Sequence, residues 1–90
     1  MLERDIEKKS AEAATDKGWY TFKVLSNLHK GLPDRCFIKG GHVVFIEYKK
    51  EDGKLSALQE RTHRKFADHG ITVYVCRSVA ETMGVLDAIA

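Results

Sequence analysis

The pair Gly40-Gly41 restricts this chain more than any other feature. It lies between two stretches rich in Phe, Val, Ile and Tyr, running from Arg35 to Lys39 and from His42 to Lys49. Two consecutive glycines supply the positive φ of a two-residue hairpin turn, so the pair predicts an antiparallel hairpin. With the glycines as its loop, facing residues sum to 81. Ile38 then faces Val43, Cys36 faces Phe45, and Asp34 faces Glu47. Directly opposed Cβ atoms are about 5 Å apart, so two carboxylates placed there repel each other. A cation between them would remove that cost. Side chains alternate along a strand, so Lys49 shares the face of Glu47. One face thus runs from apolar residues to a carboxylate pair and then to an ammonium. That order suits a metal site beside a group that positions water or moves a proton. Taken one at a time, the same three residues read as ordinary surface charge.

Ninety residues leave room for one domain, residues 1–90, with a modest core. At that size an interface shared with a second copy is expected. No apolar run approaches a membrane span, and the N-terminus is charged rather than signal-like. Cys36 and Cys76 lie in apolar, strand-like segments, as reduced core thiols of a cytoplasmic protein do. The net charge of +2 announces no nucleic-acid partner, but its distribution is uneven. Residues 19–54 carry seven basic and four acidic groups, and two of those acids are Asp34 and Glu47. Once these two hold a cation, their surround is basic: Lys23, Lys30, Arg35, Lys39, Lys49, Lys50 and Lys54. Such a surround suits a phosphate-bearing substrate.

Around the hairpin, residues 2–17 read as a helix with Leu2, Ile6, Ala13 and Ala14 as its stripe, ending at Gly18. Trp19 to Val24 alternates like a strand, with Tyr20, Phe22 and Val24 on one side. Residues 25–33 form a loop, and Pro33 stiffens the turn that delivers Asp34. Leu55 to His69 reads as a helix carrying Leu55, Leu58, Thr62, Phe66 and His69. Ser56 and Gln59 fit a capping box at its start. Helical phase also puts Gln59 about 20° from Phe66, where it could reach Lys49 or a bound phosphate. Ile71 to Cys76 reads as a strand. A last helix follows a second capping box at Ser78 and Glu81. The order is α-β-β-β-α-β-α. The crossover from the second hairpin strand predicts a parallel pair, hence a mixed sheet with helices on both sides. The four histidines show no close metal-ligand spacing, and there is no zinc cysteine pattern, Walker or dinucleotide loop, or nucleophile elbow.

Asp34 followed by Glu47-Tyr48-Lys49 on neighbouring strands resembles the PD-(D/E)XK nuclease superfamily. Gly31-Leu32-Pro33-Asp34 is similar to the G-x-P-D turn of its VRR-NUC (virus-type replication-repair nuclease) family. Gly53 and Lys54-Leu55-Ser56-Ala57-Leu58-Gln59 resemble that family's G-x-L-S-x-x-Q segment. The likeness runs from Glu3 to the Cys76 strand. It implies a restriction-endonuclease-like αβββαβ core, here with an extra C-terminal helix. It implies a metal-dependent, structure-selective DNA endonuclease, similar to small stand-alone phage and bacterial members that resemble Holliday-junction resolvases and act as homodimers. Asp34 and Glu47 would be metal ligands, Lys49 the catalytic lysine, and Gln59 a residue that completes the site. The N-terminal helix would bring an acid, with Glu7 fitting best and Glu3 as the alternative.

Hard oxygen donors suit Mg²⁺ or Mn²⁺, and the Tyr48 backbone carbonyl can add to the carboxylates. Lys30, Arg35, Lys50, Lys54 and Arg61 are the candidate DNA contacts. With no fused DNA-binding domain, selection of a four-way junction or flap would fall to the dimer's shape or to another protein. The end helix and the Trp19 strand are the candidate dimer seams. The alternatives are a non-cleaving module that binds branched DNA with the same fold, and a structural domain whose carboxylates are simply solvated.

Overall fold

A computed structural model describes all of residues 1–90. Seven elements follow in order: α1 (Glu3–Asp16), β1 (Tyr20–Lys23), β2 (Arg35–Lys39), β3 (His42–Tyr48), α2 (Ala57–Asp68), β4 (Val73–Cys76) and α3 (Val79–Ile89). This is the αβββαβ core with an added C-terminal helix that the sequence predicts. The strands form one sheet in the order β1-β2-β3-β4. The first two pairings are antiparallel and the last is parallel, so the sheet is mixed. No helix is long and apolar enough to cross a membrane.

Gly40 and Gly41 both take positive φ, +55° and +84°, as the tight hairpin requires. The observed register keeps the predicted sum from Lys39–His42 back to Arg35–Ile46, including Ile38–Val43 and Cys36–Phe45. The ladder stops there, one residue short of Asp34.

Alternation along β3 decides which side chain meets which helix. Val44, Ile46 and Tyr48 are buried in the main core with Ile6, Ala14, Phe37 and Leu86, on the face covered by α1 and α3. The hydroxyls of Ser10, Tyr48 and Thr82 meet inside that layer, with Thr82 Oγ1 3.1 Å from each of the other two. Phe45 and Glu47 point to the other face, where Phe66 of α2 meets Phe45 edge-on at 5.2 Å.

Four expectations shift. Trp19 is not part of β1 but is buried in the core just before it, while Tyr20 is 67% exposed. Helix α2 packs against β4 and reaches β3 through Phe66 on Phe45, so Phe22 of β1 and Val43 at the turn end of β3 stay exposed on that face. No residue of α2 is fully buried. Its inward row is Gln59, Thr62, His63 and Phe66 rather than Leu58 and His69, which are exposed. Of the two capping boxes, that at Ser56 and Gln59 is complete. At Ser78 only half forms, because the Glu81 carboxylate accepts from the Arg77 N–H instead.

Candidate active site

Asp34 and Glu47 meet at the end of the hairpin farthest from its turn. Gly31, at φ +82°, begins the approach. A Cβ there would lie 2.8 Å from Thr62 Oγ1 and 3.0 Å from the Leu58 carbonyl oxygen. Only glycine lets this turn pack directly on α2. Pro33 is buried, and Asp34 follows with its backbone fixed by the Val24 N–H, which donates to the Asp34 carbonyl at 2.9 Å. The carboxylate then does what a further strand residue would have done: Asp34 Oδ2 accepts from the Tyr48 N–H at 2.7 Å. The lost rung of the ladder is thus replaced by a side chain, and Asp34 is held beside Glu47.

Glu47 is only 2% exposed. Its Oε2 accepts from Gln59 Nε2 at 3.1 Å and lies 3.9 Å from Lys49 Nζ. Its Oε1 is buried with no partner at all. Burial pushes the Glu47 carboxyl up to about 8. The Asp34 charge raises it next, Lys49 opposes, and the charge of Glu3 adds a smaller upward contribution. Near neutral pH the Glu47 carboxyl of the metal-free protein therefore retains its proton. An oxygen-only cluster with an orphaned carboxylate oxygen and a like-charged neighbour fits a hard divalent cation. No third Asp, Glu, His or Cys converges to complete a protein cage. Water and phosphate oxygens would fill the remaining positions, the arrangement that Mg²⁺ favours.

The other predicted residues divide by face. Glu7 lies on the Arg35 side of the sheet: its Oε2 accepts from Arg35 Nε at 2.8 Å and is 3.7 Å from Lys23 Nζ. Arg35 pairs with Ile46 and shares its face, away from Glu47. The acid of α1 whose charge reaches Glu47 is Glu3. Its carboxylate packs by Gly53, at 3.4 Å from where a Cβ would stand. Lys30, Lys50, Lys54 and Arg61 are exposed. The turn bearing Lys50 is fastened by Arg77, whose Nη1 donates to the carbonyls of Lys50 at 2.9 Å and Gly53 at 2.5 Å. The largest surface depression, about 720 Å³ between β4 and α3, is lined by neither Asp34, Glu47 nor Lys49.

One further polar group faces the site, and no metal-ligand spacing in the sequence marks it. His63 lies one helical turn after Gln59, on the inward row of α2. Its Nε2 is buried and has no partner. Burial pushes the imidazole down, while Asp34 and Lys49 act on it in opposite senses. The i, i+4 relation to Gln59 is the sequence signal that points to it.

The family model described as VRR-NUC domain matches residues 6–80. The chain belongs to the VRR-NUC family. A solved structure titled "VRR_NUC domain" superposes with a TM-score of 0.86 at 24% identity, covering 98% of this chain and 97% of the other. That likeness carries the fold. Among curated proteins none matches the chain in sequence. VRR-NUC domains are nucleases of the PD-(D/E)XK type, a class that generally uses divalent metals, and a nuclease domain implies a DNA substrate.

Proposed function

We propose that residues 1–90 act as one domain, a structure-selective DNA endonuclease of the Holliday-junction-resolvase kind that works with Mg²⁺ or Mn²⁺ as a homodimer. The observation that carries this reading is Glu47: a buried carboxyl with one unpartnered oxygen, beside Asp34 and 3.9 Å from the Lys49 ammonium. Asp34, Glu47 and the Tyr48 carbonyl would hold the cation. When bound, the cation neutralises charge on the scissile phosphate and acidifies a water.

The chain's own groups do the rest. The Tyr48 N–H fixes one oxygen of Asp34, leaving the other for the metal side. Gln59 fixes Glu47 Oε2 in the same way. Lys49 lies where it can orient the attacking water or stabilise the pentavalent phosphate. Glu3, which makes no ion pair, would be the helix acid that reaches the site through water, with Glu7 engaged by Arg35. Lys30, Lys50, Lys54 and Arg61 provide exposed cations for the backbone phosphates. Arg35 is the least available of the five proposed DNA contacts, because Glu7 holds its guanidinium. Paired cuts across a junction need two sites at fixed spacing, which a two-fold dimer supplies.

The test is cleavage of a four-way junction, a flap and a linear duplex in Mn²⁺, with oligomeric state measured alongside. Wild type should cut branched DNA and Glu47→Ala should not. Equal activity in the two proteins would remove the site. Binding that survives EDTA, with no product on any DNA form, would make the chain a non-cleaving module for branched DNA.

A further inference from the structure

The loop that leads into Asp34 carries a feature that catalysis does not use. Its neck is the hydrogen bond from the Val24 N–H to the Asp34 carbonyl, so it leaves and re-enters the fold at a site acid. Leu25 and Leu28, at its tip, are 84% and 91% exposed, more than any other large apolar side chain of the protein. Single exposed leucines are commonplace, but two on one turn are not explained by packing. Nor is the turn loose. Ser26 Oγ accepts from the N–H groups of both Leu28 and His29, at 3.2 and 2.9 Å. On the return side, Thr62 Oγ1 lies 3.4 Å from the Lys30 carbonyl oxygen, and Gly31 packs on α2. The backbone thus holds two leucines outward in water. The returning flank is basic, with His29 and Lys30, and along the sequence no acid lies between Lys23 and Asp34, although Lys23 itself is 3.7 Å from Glu7.

We infer that the Leu25–Leu28 tip is a wedge that unstacks bases at a DNA branch, next to the strand presented to Asp34 and Glu47. This rests on the DNA reading proposed above. Leucine is among the side chains that proteins insert between base steps. Lys30, with His29 beside it, would meet a phosphate next to the opened step, whereas Lys23 is 3.7 Å from the Glu7 carboxylate. A second copy is the competing occupant, and charge disfavours it: a two-fold contact through this tip would set the same cations against each other. Leu28 is six residues from Asp34, so the tip can stand at most about 20 Å from the site acid, a few base steps along the strand.

The test uses a junction carrying 2-aminopurine at the branch, with Glu47→Gln protein so that nothing is cut. With both leucines present, fluorescence should rise on binding as the base unstacks. In Leu25→Ala/Leu28→Ala the rise should vanish, and the preference for junction over linear duplex should fall by about tenfold. The melting temperature should stay unchanged, since these side chains contact little. Leu25→Met/Leu28→Met should restore the rise. A rise that persists in the alanine variant overturns the wedge, as does no rise with the leucines intact. A variant that turns a dimer into a monomer while keeping the fluorescence change assigns the tip to a second copy instead. Because the readout is unstacking and not cleavage, failure of the wild-type protein to cut DNA would sink the nuclease reading and leave this one standing.

Discussion

Gln59 divides its amide between two elements: Nε2 donates to Glu47 Oε2 at 3.1 Å, while Oε1 accepts from the Ser56 N–H at 3.0 Å. The helix cap therefore orients the group that orients a site carboxylate. Because the cap occupies the oxygen, only the nitrogen is left for Glu47. Gln59→Ala should cost about 1 kcal/mol through the lost cap and free Glu47 to rotate. Gln59→Glu keeps an oxygen for the cap but presents a carboxylate to Glu47. Both variants should cut poorly, while only the alanine variant loses the cap. Thermal melts beside cleavage assays separate these effects.

The raised Glu47 carboxyl sets a pH dependence. Its ordinary value is 4.5 and its folded value about 8, so between them the folded state holds more protons than the unfolded one. The stability this confers is complete below about pH 4.5 and is lost as pH rises through about 8. The metal-free protein should therefore melt at falling temperature from pH 5 to pH 9. Metal must displace the retained proton, so apparent Mn²⁺ affinity should rise about tenfold per pH unit and level off above about pH 8. Glu47→Gln should flatten the melting profile, stabilise the metal-free protein at pH 9 and abolish the Mn²⁺ response. Differential scanning fluorimetry across pH, with and without Mn²⁺, reads all three.

The two acids of α1 should separate by phenotype. Glu7 is tied to Arg35 in a partly buried pair, so Glu7→Gln should lower stability by roughly 1–3 kcal/mol with little effect on Mn²⁺ binding. Glu3 makes no ion pair and faces the site through its charge on Glu47. Glu3→Gln should leave the melt nearly unchanged and weaken cleavage. Urea titrations beside junction-cleavage rates would show the split, and the reverse pattern would restore Glu7 to the site.

His63 presents a buried, unpartnered Nε2 on the row of α2 that also holds Gln59. A ring nitrogen left empty in the metal-free protein can bond a phosphate oxygen or a site water when DNA is in place. His63→Ala should cut at least about tenfold more slowly. His63→Gln, which keeps an amide near the Nε2 position, should recover part of that loss. Single-turnover rates on a junction, with melts as controls, distinguish this from a packing role, for which glutamine would give no recovery.

Much of this protein was legible in one dimension, because its strongest signals are local. Two adjacent glycines fix a turn, a turn fixes a register, and a register fixes which side chains share a face. The hairpin pairs from Arg35–Ile46 to Lys39–His42 follow from Gly40-Gly41 alone. The capping box at Ser56 and the glycine approach to Asp34 are equally local. What the chain could not declare is how far α2 extends over the sheet. The exposure of Val43 and the inward turn of His63 depend on where that helix docks, which is set by long-range packing of Phe66 on Phe45. The same is true of the α1 acids: one helical turn separates Glu3 from Glu7, and only the sheet's position beneath α1 gives Glu7 to Arg35 and leaves Glu3 near Glu47. Local chemistry wrote the pair of carboxylates; tertiary packing chose their neighbours, because burial and charge at a site are summed over every element that surrounds it.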